Sequence, residues 1–110
     1  MVETKDVKVE FKRKPEWRNW VTPGLLREQA IHRWYVFPHS FAPNLVHKFI
    51  DEWKLGSRDR ILDPFVGAGT TLLAAKQKGV PACGYDLSTI AVFSTKVKTT
   101  AYKRSRLDHA

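Results

Sequence analysis

From Pro43 onward, segments whose apolar residues have helical spacing alternate with short apolar runs that are typical of strands. Apolar residues between Pro43 and Gly56 recur on one helix face, and proline suits the first helical position. Ile61 and Leu62 lie in a short apolar run that predicts a strand over 60–63. The same reasoning predicts a helix over 70–78, a strand over 82–85 and a helix from 88 to about 102, with Gly79 ending the first helix and Ser88 capping the second.

The first thirty residues predict an arm rather than part of this alternation. Residues 7–11 alternate as a short strand would, and Pro15 and Pro23 interrupt the segment after them. A helix is expected over 25–35. Strands that alternate with helices are typical of an α/β fold with parallel strands. We therefore expect an arm over 1–30 and an α/β domain over 31–110.

The composition favours one folded domain. The chain has 110 residues, with 43% hydrophobic residues and four tryptophans. It contains no signal peptide and no apolar run long enough to span a membrane, so a soluble, cytoplasmic protein is expected. Cys83 is the single cysteine, which excludes an intrachain disulfide, and its position on a predicted strand favours a small buried filler.

The titratable residues predict no metal site but do indicate a basic surface. His32, His39 and His47 have no paired cysteines or acidic cluster beside them. The net charge is +8, and its excess lies near the C-terminal end. Basic surfaces are typical of proteins that bind the phosphate backbone of nucleic acids, although a solubilising charge run at a terminus is an equal alternative. The candidate nucleic-acid contacts are Lys96, Lys98, Lys103, Arg104 and Arg106.

A glycine loop joins the first predicted strand to the next helix. The strand ends at Asp63, Gly67 and Gly69 lie in the loop, and the helix begins at Thr70. Glycines let the backbone pass close to a ligand, and a helix N-terminus attracts anionic groups. Asp86 ends the next strand, where an acid usually holds a ribose diol. The alternative is that these residues merely end a strand and turn the chain.

The loop sequence excludes two common classes of nucleotide ligand, dinucleotides and the nucleoside triphosphates that a Walker loop binds. The third glycine of a dinucleotide fingerprint would fall at Leu72, and no lysine follows Gly69 as a phosphate-binding Walker loop requires. What remains is a ligand with an adenosine ribose and no phosphate. S-adenosylmethionine fits, because Asp63 can face its ammonium group while the backbone N–H groups of 67–70 face its carboxylate.

The residues at 63–71 read Asp-Pro-Phe-Val-Gly-Ala-Gly-Thr-Thr. This segment resembles the Asp-Pro-Phe-x-Gly-x-Gly-Thr-Thr motif of the DNA amino-methyltransferases, which methylate cytosine N4 or adenine N6. Residues 32–49 and 86–99 are similar to the flanking segments of that family. The resemblance implies a Rossmann-like class I methyltransferase fold, DNA methylation of the restriction–modification type, and S-adenosylmethionine as cofactor. The cofactor-binding residues that it implies are His39, Ser40, Asp63, Pro64, Phe65, Gly67, Gly69, Thr70, Asp86 and Leu87.

The chain departs from that family in one motif. Its enzymes carry a catalytic Pro-Pro-aromatic tetrapeptide that holds the extruded base, and the six prolines of this chain are all isolated. The resemblance therefore implies a partial methyltransferase fold that binds cofactor but has no catalytic residues of its own. We expect DNA as a partner, and either a homo-oligomer or a separate catalytic subunit. An RNA methyltransferase fragment and a non-catalytic binding subunit stay open as alternatives.

Overall fold

Two short strands pair in parallel at the centre of the protein, in a computed structural model that describes residues 10–37 and 39–102. Strand β1 pairs with β2 in the register Ile61 to Ala82, Leu62 to Cys83 and Asp63 to Gly84. The helices and strands of the described part are α1 (Pro43–Glu52), β1 (Ile61–Asp63), α2 (Thr70–Gln77), β2 (Ala82–Gly84) and α3 (Thr89–Thr99). The order β1–α2–β2 is the unit that builds parallel sheets.

Helix α2 is the element on which the others pack. It contacts α1, α3 and both strands. Its sequence Thr-Thr-Leu-Leu-Ala-Ala-Lys-Gln places small alanines on the buried side, which lets these four elements approach closely. Ala75 lies in a core cluster with Ile50 of α1 and Val80, against which Ile61 packs from β1. The glycine loop therefore starts and ends on elements that the core holds in place.

Close packing also explains the glycine in β2. A Cβ atom at Gly84 would lie 2.9 Å from Val66 Cγ2 and 3.0 Å from Leu72 Cδ1. At 2.9 Å the Val66 methyl group would have to shift, and 3.0 Å is closer than most carbon contacts in a packed interior. The absence of a side chain at Gly84 thus allows β2 to approach the glycine loop and α2.

The predicted domain elements are confirmed, with small differences at their ends. Ser88 caps α3 as expected, because its hydroxyl oxygen accepts a hydrogen bond from Ala91 N at 3.3 Å. Helix α3 ends at Thr99, earlier than the sequence predicted. Gly79 follows α2 with φ +71°, the left-handed conformation that ends many helices. No helix within the described ranges has the length and apolar character needed to cross a membrane.

The predicted helix over 25–35 is wrong. Two short 3-10 turns, Gly24–Glu28 and Ile31–Trp34, replace it. The backbone is extended at Gln29 (φ −98°, ψ 134°), which interrupts helical hydrogen bonding. The Gln29 side chain instead donates a hydrogen bond to Asn44 Oδ1 at 3.1 Å, so this segment is held on α1. The strand predicted at 7–11 lies almost wholly outside the described residues.

One face of the sheet has no covering layer within 10–37 and 39–102. Leu62 is 60% exposed and Tyr85 is 67% exposed, and Cys83 beside them is also exposed. Side chains alternate between the two faces of a strand, and α2 covers the face of Ile61 and Ala82. The interpretation of Cys83 as a buried filler is therefore wrong, because its side chain points to the opposite face.

Candidate cofactor site

A cavity of about 370 Å³ lies where the carboxyl ends of the strands meet the N-terminus of α2. Small-molecule sites usually occupy about 300–1,000 Å³, and in parallel sheets they lie at this edge. The lining residues come from the segment before α1, the glycine loop and the start of α3: Phe37, His39, Ser40, Phe41, Phe65, Val66, Gly67, Ala68, Thr70, Asp86, Ser88 and Ala91. The cavity thus joins parts of the chain that are distant in sequence.

Hydrogen bonds from backbone N–H groups hold the glycine loop against the end of the sheet. Asp63 Oδ1 accepts from Phe65 N at 3.0 Å, which turns the chain directly after β1. Val66 N donates to Tyr85 O at 2.9 Å, and Gly69 N donates to Val66 O at 2.8 Å. Phe65 is left 86% exposed at the rim of the cavity. The loop is therefore well ordered by its own contacts, with an aromatic ring free to meet a ligand.

The Asp86 carboxylate connects the end of β2 to the glycine loop. Its Oδ2 accepts from Gly67 N at 2.9 Å, and its Oδ1 accepts from Ser88 N at 2.8 Å. These backbone donors, Ser88 first and then Gly67, lower the pKa of Asp86 below its ordinary value. The side chain is therefore ionised at neutral pH. Each carboxylate oxygen has further lone-pair capacity, so hydroxyl groups of a ligand can also donate to it.

The loop amides are less available than the sequence suggested. We expected the N–H groups of 67–70 to face an anionic group, but Gly67 N is bonded to Asp86 and Gly69 N to Val66 O. The bond from Gly69 closes the turn of the loop, and the bond from Gly67 joins the loop to the end of β2. That part of the expectation is wrong for Gly67 and Gly69. Thr70, at the first position of α2, still lies on the cavity wall.

The structure brings six of the ten sequence-predicted residues together around the cavity: His39, Ser40, Phe65, Gly67, Thr70 and Asp86. Asp63, Pro64, Gly69 and Leu87 are not among its lining residues. Asp63 and Gly69 shape the loop from behind, whereas the Leu87 side chain is fully exposed. Ser40 Oγ accepts from Phe37 N at 3.1 Å, which fixes the turn in the wall that faces the loop.

Several lining residues were not predicted from the sequence. Phe37 and Phe41 bring aromatic surface to one wall, and Ser88 lies beside Asp86. These residues lie next to site residues that were predicted. Their position beside the motifs could have identified them, because they form no motif of their own. An aromatic wall, an ionised carboxylate and a helix N-terminus suit a ligand with a flat ring, hydroxyl groups and an anionic group.

The proposed basic surface is only partly present in the described residues. Lys96 is exposed on α3, as a phosphate contact would need to be. Lys98 is 3% exposed, and its ammonium group donates to backbone carbonyl oxygens in the interior, so its assignment to a nucleic-acid surface is wrong. Burial follows from the helix period, because Lys98 lies on the same face as Ser94 and Ala91, which are also buried. Lys103, Arg104 and Arg106 lie outside the described residues.

A second, larger groove of about 1,010 Å³ lies away from the sheet, between the arm and α1. It is lined partly by Trp17, Trp20 and Lys48. Lys48 already pairs with Glu52, and Lys12 with Glu10, at 3.5 and 3.4 Å. Four basic and two acidic residues line the groove, so its positive charge is partly balanced. Within the described part of the chain, no group of three metal-ligating side chains comes together.

Comparisons with known proteins agree with the motif. The family model described as DNA methylase matches residues 3–95. The chain is 38% identical over 86 residues to the Type II methyltransferase M.BsoBI of Geobacillus stearothermophilus, which is 76% of this chain and 17% of that relative. It is 35% identical over 75 residues to M.AvaI of Nostoc sp., covering 68% of this chain and 16% of the relative.

A more distant relative, the Type II methyltransferase M.MvaI of Kocuria varians, is 28% identical over 85 residues, which is 76% of this chain and 19% of the relative. The chain thus spans less than a fifth of the length of these curated relatives. No solved structure matches it. The family match covers the arm, α1, the glycine loop, both strands and most of α3, and on this evidence the chain belongs to the family of N6/N4 DNA methylases.

Proposed function

We propose that this chain forms the S-adenosylmethionine-binding part of a DNA methyltransferase that acts on an exocyclic base amine, cytosine N4 or adenine N6. The observation that carries the proposal is the cavity at the ends of β1 and β2, where Asp86 and the glycine loop meet. Family membership supports methyl transfer as the chemistry. The fold is then a partial class I methyltransferase fold, with the cofactor domain over 31–110 and an arm over 1–30.

Each part of the cofactor has a suitable partner in the cavity. The ionised Asp86 would accept hydrogen bonds from the ribose hydroxyl groups. Phe65 and Phe37 would pack against flat or apolar surface of the ligand, since both line the cavity. Thr70 at the start of α2 and the turn of His39 and Ser40 would hold the methionine end. S-adenosylmethionine supplies an activated methyl group, and these residues bind and orient it.

Asp86→Asn is expected to weaken S-adenosylmethionine binding roughly tenfold, because a charged acceptor for the ribose hydroxyls becomes a neutral one. Asparagine keeps the shape but offers one acceptor oxygen to the two backbone donors Gly67 N and Ser88 N, so one of these two hydrogen bonds is kept and the other is lost. Isothermal titration calorimetry measures the affinity. Thermal unfolding of the same variant shows whether the fold is retained.

Asp59→Asn is the matched control. Asp59 also accepts a backbone hydrogen bond within a turn, from Gly56 N at 2.9 Å, but lies outside the cavity lining. This control should leave the affinity unchanged. Binding of NAD with no response to S-adenosylmethionine would overturn the proposed function. Equal affinities for Asp86→Asn and wild type would remove Asp86 from the site.

The catalytic half of the reaction is not expected to reside in these 110 residues. The Pro-Pro-aromatic tetrapeptide that holds a base is absent from the sequence. We propose that a second polypeptide segment, in a partner chain or a second copy, covers the open sheet face and takes part in DNA binding. Of the five candidate phosphate contacts, Lys96 and Lys98 lie within the described residues, and Lys96 is the exposed one of the two.

Purified protein of this length should therefore transfer no methyl groups to DNA above background. The physical reason is that it lacks a paired acceptor and an aromatic platform for an extruded base. Incubation with radiolabelled cofactor and mixed-sequence DNA measures the incorporation, and a complete methyltransferase serves as positive control. Clear incorporation by the isolated chain would mean that other residues perform this role.

A further inference from the structure

Lys98 is the most deeply buried charged side chain of the described residues, and it lies directly behind the candidate cofactor site. It projects from α3 and is 3% exposed. Its Nζ donates to Ala68 O at 2.7 Å, to His32 O at 3.3 Å and to Tyr35 O. Three donors of an ammonium group thus meet three carbonyl acceptors that are 30 to 66 residues away along the chain.

Packing alone does not explain a lysine at this position. An ammonium ion is costly to bury unless hydrogen bonds compensate it, and an apolar side chain would fill similar space at lower cost. The acceptors lie in segments with few regular partners: Ala68 in the glycine loop, and His32 and Tyr35 at a short 3-10 turn. The cation therefore satisfies carbonyl groups that would otherwise be buried without a donor.

The same hydrogen bonds join the two walls of the cavity. Ala68 itself lines the cavity on the glycine-loop side, and Tyr35 precedes Phe37 in the opposite wall. A single ammonium group is bonded to both segments. We propose that Lys98 is a positioning residue that fixes the distance between these walls, so that the cavity is already formed when the cofactor arrives. This inference rests on the proposed cofactor-binding function of the site.

The tether should depend on pH. Burial lowers the pKa of Lys98 to about 8. Below this pH the side chain has three N–H donors for three acceptors, and above it a neutral amine has two. The titratable side chain that faces it is His32, whose own pKa burial lowers, with the Lys98 charge as a further cause. The glycine loop presents backbone and apolar groups to it from Val66 to Gly69.

Fold stability should respond to pH in the opposite direction from cofactor affinity. The pKa of Lys98 is about 8 in the folded chain and near its ordinary 10.5 in the unfolded chain, so the unfolded chain binds more protons between these values. The contribution of Lys98 to the stability of the fold therefore rises with pH in this window. If Lys98 positions the walls, cofactor affinity falls as the third donor is lost. If Lys98 had a purely structural role, fold stability and cofactor affinity would not change in opposite directions with pH.

The experiment compares wild type, Lys98→Met and Lys96→Met by calorimetric titration with S-adenosylhomocysteine from pH 7 to 9.5. Lys96 is an exposed lysine on the same helix, so its variant controls for lost charge. At pH 7 we expect the Lys98→Met dissociation constant to be roughly tenfold above wild type, with Lys96→Met unchanged. The ratio of the Lys98→Met dissociation constant to that of wild type should fall toward pH 9.5 and stay above one, because the neutral amine keeps two donors. The amino group of the ligand also titrates between pH 7 and 9.5, but it affects variant and wild type equally. The ratio of their dissociation constants is therefore free of this effect.

A ratio of one at every pH, at a temperature where both proteins are folded, would overturn the inference even if Lys98→Met melts earlier. A constant ratio that does not fall with pH would overturn it as well. Failure of the wild type to bind would instead count against the proposed function. If Lys98→Met does not fold, or if the wild type does not bind, hydrogen exchange of the backbone amides in free wild type tests the tether instead. Protection of Gly69 N relative to Val80 N should drop above pH 8, and an unchanged ratio would refute the tether.

Discussion

Gly69→Ala is expected to destabilise the protein by about 3 kcal/mol or more, the largest effect of any single methyl group added to the glycine loop. Gly69 has φ +81°, and a side chain in this conformation costs about 1–2 kcal/mol. Its Cβ would also lie 2.7 Å from Thr95 Oγ1 and 3.1 Å from Thr95 Cγ2. Overpacking of this kind adds about 1–3 kcal/mol. Chemical denaturation measures the loss.

Gly79→Ala separates the two causes. Gly79 has φ +71°, but a Cβ there meets nothing within 4 Å, so this variant should lose about 1 kcal/mol, the backbone cost alone. Combining Gly69→Ala with Thr95→Ala should recover part of the loss, because Thr95 Oγ1 and Cγ2 are then absent while Thr95 Cβ remains at 3.1 Å. Equal losses for Gly69→Ala and Gly79→Ala would contradict the role of packing. Gly69 would then serve the turn and not the contact with α3.

The helices and strands of the domain were predictable because local signals and packing agree there. Pro43 begins α1, Ser88 caps α3 and Gly79 follows α2, and each signal acts within one turn of its own helix end. The segment over 25–35 was not predictable in the same way. Its apolar residues suit a helix, but contacts with α1, such as the hydrogen bond from Gln29 to Asn44, hold it in two short turns. Tertiary contacts there override local preference.

The candidate site was predictable in its location and less so in its internal bonding. Strand ends and a glycine loop specify where a ligand can lie, and Asp86, Gly67 and Phe65, which were predicted from them, line one cavity. The sequence does not reveal that Gly67 N is bonded to Asp86, because that bond joins residues on different strand ends. Lys98 was misassigned for the same reason. A lysine in a basic run suggests a surface, and only the three-dimensional arrangement reveals three carbonyl acceptors around it.

The open face of the sheet leads to a prediction about assembly. Leu62, Cys83 and Tyr85 lie on the face opposite α2 and are exposed. Parallel sheets are normally covered on both faces, and within the described residues β1 has a strand partner on one side alone. We therefore expect the purified chain to self-associate at micromolar concentration, with a mass above 12.7 kDa by analytical ultracentrifugation.

Leu62→Lys should weaken this association roughly tenfold to a hundredfold, since burial of a leucine side chain contributes about 1.5–3 kcal/mol. The change should leave the fold intact, because Leu62 is 60% exposed and lies away from α2. Val21→Lys is the matched control: Val21 is 56% exposed and lies in the arm, so association should persist. Cys83 reports the same event, because its thiol should react more slowly with an alkylating reagent as protein concentration rises. A cooperatively melting monomer whose Cys83 reacts at one rate at all concentrations would contradict the prediction, and the face would then be stable in water without a covering layer.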